Sequence, residues 1–323
     1  MKTDMKLSIV LTVYNKEPYL DRAFDSLLNQ QNVQADEYEI LVVNDGSTDG
    51  SARIVEDYSR RFERVRVLTQ LNQGLSMARN NGTNAAWGDY VWYVDADDII
   101  SPQSVRLICD AIEFLPDVIP IYAKTEGIDR KRNCVPVNAV TGADILISGE
   151  WQACGVFYIL RRCFLKENNL AFLPGIYHED SEFTPRMLYL TKNVVVVPEV
   201  LYTVIHEPNS ITQVPRAKRA YDCLIVAESL FSFIKSKGDT KSIVAHAFFN
   251  YISNVINDAL KVIVSNSEEE QKKFNRELQT KPELIGVMLE TNVVRYLIEG
   301  ILFKLFPGCY THIYKIIKSL KFR

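Results

Sequence analysis

Asp95-Ala96-Asp97-Asp98 sets three carboxylates within four residues, directly after Tyr90-Val91-Trp92-Tyr93-Val94. The aromatic and β-branched run before them has the composition of a strand buried on both faces of a parallel sheet. Carboxylates gathered at the end of such a strand repel one another and lose hydration, so they need a compensating charge. A divalent cation supplies it: Mg²⁺ is commonly held by one or two carboxylates plus substrate phosphates, and Mn²⁺ suits the same hard oxygens. Open α/β sheets also bind ligands outside the carboxyl ends of their strands, where this cluster falls. The alternative is an acidic turn that caps a helix beginning near Ser101-Pro102.

The elements that must position these carboxylates are legible upstream. Residues 7–13 read as a first strand, and Glu17-Pro18 opens a helix with Leu20, Phe24, Leu27 and Leu28 at helical spacing. A second strand at 38–43 ends at Asn44-Asp45-Gly46-Ser47-Thr48-Asp49, and a helix follows to about Arg61. A strand at 65–68 and a helix at 75–86 lead into the strand before the carboxylates. Strands separated by helical crossovers predict an α/β fold, an open and mainly parallel sheet flanked by helices.

Composition excludes several classes. The chain has 323 residues, enough for about two domains, and its 47% apolar and 24% charged residues are those of a globular protein. A net charge of -3 gives the whole molecule no affinity for polyanions, so no nucleic-acid partner is expected. Cys109, Cys134, Cys154, Cys163, Cys223 and Cys309 contain no C-x-x-C pair and no metal-ligand spacing, which fits thiols in a reducing compartment. Nothing at the start reads as a signal peptide and no apolar run is long enough to span a bilayer, so a cytoplasmic location is expected. The first glycine is Gly46, so the turn after the first strand is not a G-x-G-x-x-G loop, and no P-loop sequence occurs.

Four segments, LSIVLTVYN, VVNDGSTDGS, NQGLSMARNNGTNAAWGDYVWYVDADD and YHEDSEF, resemble the successive motifs of family 2 glycosyltransferases of the GT-A fold, in the family's order. The resemblance runs from about Lys6 to Thr212. It implies transfer of a sugar from a nucleotide diphosphate donor, with UDP favoured, to an acceptor hydroxyl with inversion at the anomeric carbon. The acceptor it implies is a saccharide or lipid-linked saccharide of a surface polysaccharide or glycoconjugate.

Each site residue carries a functional and a structural reading. Thr12, Tyr14 and Asn15 end the first strand, where a hydroxyl and an aromatic face suit a base, or form a capped turn. Asp45 suits a pyrimidine N–H or ribose hydroxyl, and the resemblance places it at the base; N-D-G-S-T-D is equally a turn and cap, with Asp49 the capping residue. Arg79 resembles the family arginine near the uridine and phosphates, or is a solvated helix arginine. Asp95 then lies near the ribose with Ala96 beside it, and Asp97 and Asp98 hold Mn²⁺ or Mg²⁺ on the diphosphate.

In the second half, a helix is expected at 101–114, a strand at 118–122, a polar excursion at 124–139 and a short helix at 141–148. The segment from Gly149 to Phe183 resembles the family's acceptor side. Asp180 is the expected base that takes the acceptor proton, at the start of a helix to about Leu190; Glu179 is its fallback and His178 an orienting group. The structural reading of Asp180 is a helix cap, with Glu182 making local contacts; Trp151 stacks on a sugar or packs in the core. Strands at 194–198 and 200–205 precede a donor-covering segment in which His206 is a metal or diphosphate ligand and Ser210 a phosphate contact.

The expected domains are a catalytic one at 1–213 (nucleotide-sugar half 1–100, acceptor half 101–213) and a helical region at 214–323. Helices are expected at 221–235, 242–264 and 268–278. Near the end, Lys315, Lys318 and Lys321 stand opposite Ile313, Ile316 and Leu320, so 309–323 is a candidate for peripheral contact with the inner face of an anionic membrane, or a packed terminal helix with solvated lysines. A homo-oligomer is compatible with the sequence. Two other classes are alternatives: a sugar nucleotidyltransferase, whose glycine-rich first loop is missing from 14–19, and a non-catalytic binding or assembly module, against which Asp95, Asp97 and Asp180 argue.

Overall fold

The computed structural model describes residues 5–34, 36–205 and 217–319. The chain forms two compact units, Met1–Gly175 with Met187–Glu207, and Ile176–Arg186 with Pro208–Arg323. The first unit begins as the strand and helix alternation predicts: β1 (Leu7–Val13), α1 (Leu20–Leu28), β2 (Tyr38–Asn44), α2 (Ser51–Arg61), β3 (Val65–Thr69), α3 (Leu75–Ala85) and β4 (Tyr90–Asp95). It continues with β5 (Ile99–Ile100), α4 (Ser104–Ile112), β6 (Val118–Thr125), β7 (Lys131–Arg132), α5 (Gly142–Ser148), β8 (Tyr158–Arg161) and α6 (Arg162–Glu167). After α7 (Glu179–Leu190), whose first eight residues count with the second unit, β9 (Val197–Val204) completes the sheet.

The strands form one sheet in the order β3-β2-β1-β4-β8-β6-β9-β5, with β7 paired to β6. β3, β2, β1 and β4 are mutually parallel; β8 is antiparallel to both β4 and β6, and β9 runs parallel to β6. Every residue of β1 and β2 is buried, as a central parallel strand requires. Ser8 and Glu39 among them are paired at the amino end of the sheet. Buried Glu39 accepts from Ser8 Oγ at 2.5 Å, Trp87 N–H at 2.6 Å and Arg66 Nη1 at 2.5 Å, and the Arg66 guanidinium lies 3.5 Å from the Trp87 ring centroid.

Three departures from the expected elements have local causes. The turn after Asp98 is followed by β5, antiparallel to β9, so α4 starts at Ser104 instead of at Ser101. A two-residue strand carries no periodicity to read. β8 and α6 were likewise too short to announce themselves. The two strands expected at 194–198 and 200–205 are one strand: the register against β6 jumps from Ile121↔Val197 to Tyr122↔Val200, and the skipped stretch holds Pro198, which has no N–H to give a ladder.

The second unit is helical: the start of α7, then α8 (Ala217–Ser236), α9 (Ile243–Ile263), α10 (Glu268–Gln279), α11 (Pro282–Leu289), α12 (Val294–Leu305) and α13 (Tyr310–Ser319). Ser242 and Ser267 cap α9 and α10 through Ala245 N–H and Glu270 N–H. α9 buries Phe248, Phe249, Ile252, Ile256, Leu260 and Ile263. Residues 176–186 belong with these helices because Tyr177 N–H donates to buried Asp222 at 2.8 Å and buried Glu182 accepts from Ser229 Oγ at 2.7 Å. α13 buries Tyr310, Ile313, Tyr314 and Ile317, whereas Ile316 is 47% exposed. The buried stripe is therefore rotated from the face expected through Ile316, and it is covered by its own unit; Leu320, Lys321 and Arg323 lie outside the described residues. Among the described residues no helix is long and apolar enough to cross a membrane.

Gly88 measures how tightly β1 is gripped. A Cβ there would lie 2.6 Å from the carbonyl carbon of Leu7 and 2.6 Å from the amide nitrogen of Ser8, backbone that cannot yield. Gly88→Ala is expected to cost about 1–3 kcal/mol, read as a lower urea midpoint at unchanged m-value.

Candidate functional site

The carboxyl ends of β1, β2 and β4 lie side by side, with Thr12 opposite Val43 on one side and Asp95 on the other. The parallel register thus brings together residues more than eighty positions apart in sequence. Thr12 Oγ1 donates to Asp95 Oδ1 at 3.4 Å, and Arg79 Nη2 donates to the same oxygen at 3.2 Å. Arg79 reaches it from α3 with only 1% of its surface exposed, its guanidinium 5.2 Å from the Phe172 ring centroid and 5.8 Å from that of Tyr93. The solvated alternative for this arginine is excluded. It is a buried cation aimed at the strand end.

Asp45, at the end of β2, is buried and uses both oxygens: Oδ1 accepts from Gln70 Nε2 at 2.7 Å and Gln73 N–H at 2.8 Å, and Oδ2 from Gly74 N–H at 2.9 Å. It therefore fixes the backbone that leads into α3 and Arg79. Gly74 has φ +84°, a conformation that favours glycine. Asn15, at φ +52°, ties the turn after β1 to the turn after β2, its Oδ1 accepting from Thr48 N–H at 2.8 Å. Tyr14 beside it is 46% exposed. Asp49 accepts from Ser51 N–H at 3.0 Å; against the effect of its partial burial, the hydrogen bonds from Ser51 and Glu17 hold its carboxyl below the usual range.

The two carboxylates expected to share a metal differ. Asp97 is partly exposed and ion-paired with Lys16 Nζ, while its carbonyl accepts from Arg22 Nη2 at 2.8 Å. Asp98 is buried, Oδ2 accepting from Tyr202 OH at 2.7 Å and Oδ1 from Ile205 N–H at 2.8 Å. Burial, then the charge of Asp95, pushes the Asp98 carboxyl up to about 7. Tyr202 OH also accepts from Asp95 N–H at 3.1 Å, so Asp98 fastens β9 to the acidic turn where the sequence suggested a metal ligand. Among the described residues no group of three His, Cys, Asp or Glu side chains is arranged to hold a metal. Of the two expected ligands, Asp97 is the one whose hard oxygens are partly exposed and so fit a cation. Lys16, Gln70 and Tyr202 went unnoticed in the sequence; only Lys16, next to Asn15 in the first turn, stood where suspicion could have fallen.

The residues expected on the acceptor side divide between the two units. Trp151 belongs to the first, where it lines a cavity with Arg130, Lys131 and Arg132. His178, Glu179 and Asp180 belong to the second, at the start of α7 and half-buried. His178 has φ +65°; burial, then the charge of Arg219, holds its imidazole below the ordinary 6.5. Burial raises the pKa of the Tyr251 phenol, which also has a hydrogen bond with Ser181 and the charges of Asp258 and Asp180 acting on it. Glu182 is held by Ser229 and by Arg186 Nη2 at 2.6 Å. His206 and Ser210 lie outside the described residues.

A parallel β-α half with a carboxylate-bearing strand end, continued by a mixed half, is the GT-A class of sheet. Residues 8–171 match the family described as Glycosyl transferase family 2, and the chain belongs to that family. It is 33% identical over 221 residues to the "uncharacterized glycosyltransferase EpsJ" of Bacillus subtilis (strain 168), a match covering 65% of this chain and 63% of that one. The chain thus spans somewhat less than two thirds of that relative. Among solved structures it is similar to S. aureus TarS 1-349 in complex with UDP-GlcNAc, at TM-score 0.77 and 20% identity over 99% of this chain and 93% of that one. It is also similar to the mannosyltransferase PcManGT of Pyrobaculum calidifontis in complex with GDP-Man and Mn²⁺, at TM-score 0.51 and 16% identity over 93% and 87%. These likenesses are to the fold.

Two outcomes follow from the geometry. Arg79→Ala leaves Asp95 without its cation and opens space beneath Phe172, and is expected to cost about 2–4 kcal/mol in a denaturant titration; Arg79→Lys does not restore it, because an ammonium does not reproduce the planar stack. For His178, the folded state binds fewer protons than the unfolded chain near pH 6, so its contribution is complete above 6.5 and is lost as pH falls through the lowered folded value. His178→Asn, which tolerates the positive φ, is expected to show a smaller drop in melting temperature between pH 7.5 and 5.0 than the wild type.

Proposed function

We propose that the chain is an inverting glycosyltransferase that moves a sugar from a nucleoside diphosphate, a UDP-sugar by preference, to an acceptor hydroxyl in the synthesis of a surface polysaccharide or glycoconjugate. The observation that carries this reading is the meeting of Thr12, Arg79 and Asp95 at the carboxyl ends of β1 and β4, with Asp97 two residues on. Family membership supports it, and so do the UDP-GlcNAc bound by TarS and the GDP-Man bound by the mannosyltransferase.

In this reading the catalytic domain is taken as 1–213, and the donor lies over the ends of β1, β2 and β4. Tyr14 offers an aromatic face to the base, and Asp45 holds the 70–74 backbone that flanks it. Asp95 and Ala96 lie at the ribose, and buried Arg79 keeps a fixed positive charge behind them. Asp97 would hold Mn²⁺ or Mg²⁺, with His206 and Ser210 further contacts to metal or phosphate; bound there, the cation supplies Lewis-acid charge neutralisation to the leaving diphosphate. Asp180, at the amino end of α7 where a carboxylate is stabilised in its charged form, takes the proton of the acceptor hydroxyl as that oxygen attacks the anomeric carbon. The attack comes from the face opposite the diphosphate, so no covalent enzyme intermediate forms.

Melting temperatures recorded with UDP, GDP, dTDP and CMP, each with and without Mn²⁺, test the donor half. One nucleoside diphosphate is expected to stabilise the wild type in a Mn²⁺-dependent way that Asp97→Ala abolishes. Asp180→Asn is expected to keep that stabilisation while lowering the turnover of acceptor about 10²- to 10⁴-fold. If no nucleotide stabilises the wild type, the donor site is wrongly assigned.

A further inference from the structure

The first unit contains a cavity of about 870 Å³ that the donor reading does not use, lined by residues that include Ile128, Arg130, Lys131, Arg132, Glu150 and Trp151. Its place follows from the register. β8 is antiparallel to both β4 and β6, so those two strands run the same way, and Ile159 of β8 is opposite Trp92 on one side and Ile119 on the other. Asp95, three residues past Trp92, is therefore level with Tyr122, three residues past Ile119. The cavity opens just beyond that level, at Thr125 and the residues that follow it. Two strand spacings, about 10 Å, separate β6 from β4.

The walls are built. Buried Asn133, at φ +53°, donates to Ile121 C=O at 3.0 Å and accepts from Gln152 N–H at 3.1 Å and Tyr158 OH at 2.9 Å. It thereby pins the 130–134 and 149–152 segments to the sheet. Arg132 Nε donates to Gln152 Oε1 at 3.0 Å and stacks 5.1 Å from the Phe157 centroid; Lys131 Nζ lies 5.5 Å from the Tyr122 centroid. Among the described residues none of these three consecutive cations forms an ion pair, and Glu150 is the one acid in the lining. Clustered cations in a concave site attract an anion, and guanidinium groups suit phosphate and carboxylate in particular. The flat indole of Trp151 beside them suits the apolar face of a sugar ring.

We propose that this cavity binds an anionic saccharide, its phosphate or carboxylate against Arg130, Lys131 and Arg132 and a ring against Trp151. Calling that saccharide the acceptor rests on the transferase reading; the binding does not. The charge lies in one place, which is why a chain with net charge -3 can still hold an anion here.

Isothermal titration of the full chain with tetragalacturonate, a maltotetraose phosphate and neutral maltotetraose tests it, comparing wild type with Arg130→Ala/Lys131→Ala. At least one anionic tetramer is expected to bind about tenfold or more tighter than maltotetraose, to weaken with salt, and to lose about tenfold in the double variant; which tetramer binds separates phosphate from carboxylate. Both substituted side chains are exposed, so an unchanged melting temperature and nucleotide response verify the variant's fold. Equal binding of maltotetraose, undiminished binding by the variant, or no binding of either anion overturns the proposal. Nucleotide stabilisation without anion binding removes only this cavity. Anion binding without any nucleotide response leaves the cavity standing and removes the donor-site assignment.

Discussion

The ion pair between Arg79 and Asp95 is the constraint around which the carboxyl ends of the parallel strands are arranged. A guanidinium with 1% of its surface exposed is costly to hold unless its charge is answered and its faces are packed. Asp95 answers the charge, and Phe172 and Tyr93 cover the faces. Much of the surrounding geometry serves that arrangement. Asp45 fixes the start of α3 so that Arg79 points inward, Gly82 lets α3 approach Val10 and Val43, and Thr12 adds a second donor to the same aspartate oxygen. So held from two sides, the Asp95 carboxylate keeps one orientation at the end of the parallel sheet.

The second half of the sheet is coupled to the first through the acidic turn. Tyr202 on β9 accepts from Asp95 N–H and donates to Asp98, and Ile205 N–H closes on the other Asp98 oxygen. The turn that presents Asp97 is thus tied down on both sides of it. A shallow turn with three free carboxylates would have been mutually repulsive; here one faces an arginine, one a lysine, and one has a raised pKa in a hydrogen-bonded niche.

How much of this was legible follows from which forces leave a periodic or compositional trace. The parallel half was readable because each buried strand is a run of apolar residues and each helix an amphipathic stretch, and the order of motifs identified the family. β5 and β8 left no trace, because a strand of two or four residues is decided by its neighbours. Asp98 shows a related limit: type and spacing mark it as a ligand, but they carry no sign of its hydrogen bond with Tyr202, about a hundred residues away. The face of α13 was misjudged because lysines at i+3 intervals are compatible with more than one rotation of the helix, and packing of Tyr310, Tyr314 and Ile317 chose between them. Arg130 to Arg132 drew no attention in a segment that looked like an irregular excursion, since a cavity appears only when Asn133 draws two distant stretches together.

Lys16 gives the turn a property of its own. Its ammonium sits against Asp97, so a partly exposed carboxylate carries a tethered counterion supplied by the chain itself. Any free cation that comes to Asp97 does so by exchange, and the affinity measured for it is a difference between two electrostatic attractions. The released ammonium stays on its leash in the turn after β1, within reach of whatever anion accompanied the incoming ion. Occupancy at Asp97 and the position of the Lys16 side chain are thereby made parts of one equilibrium.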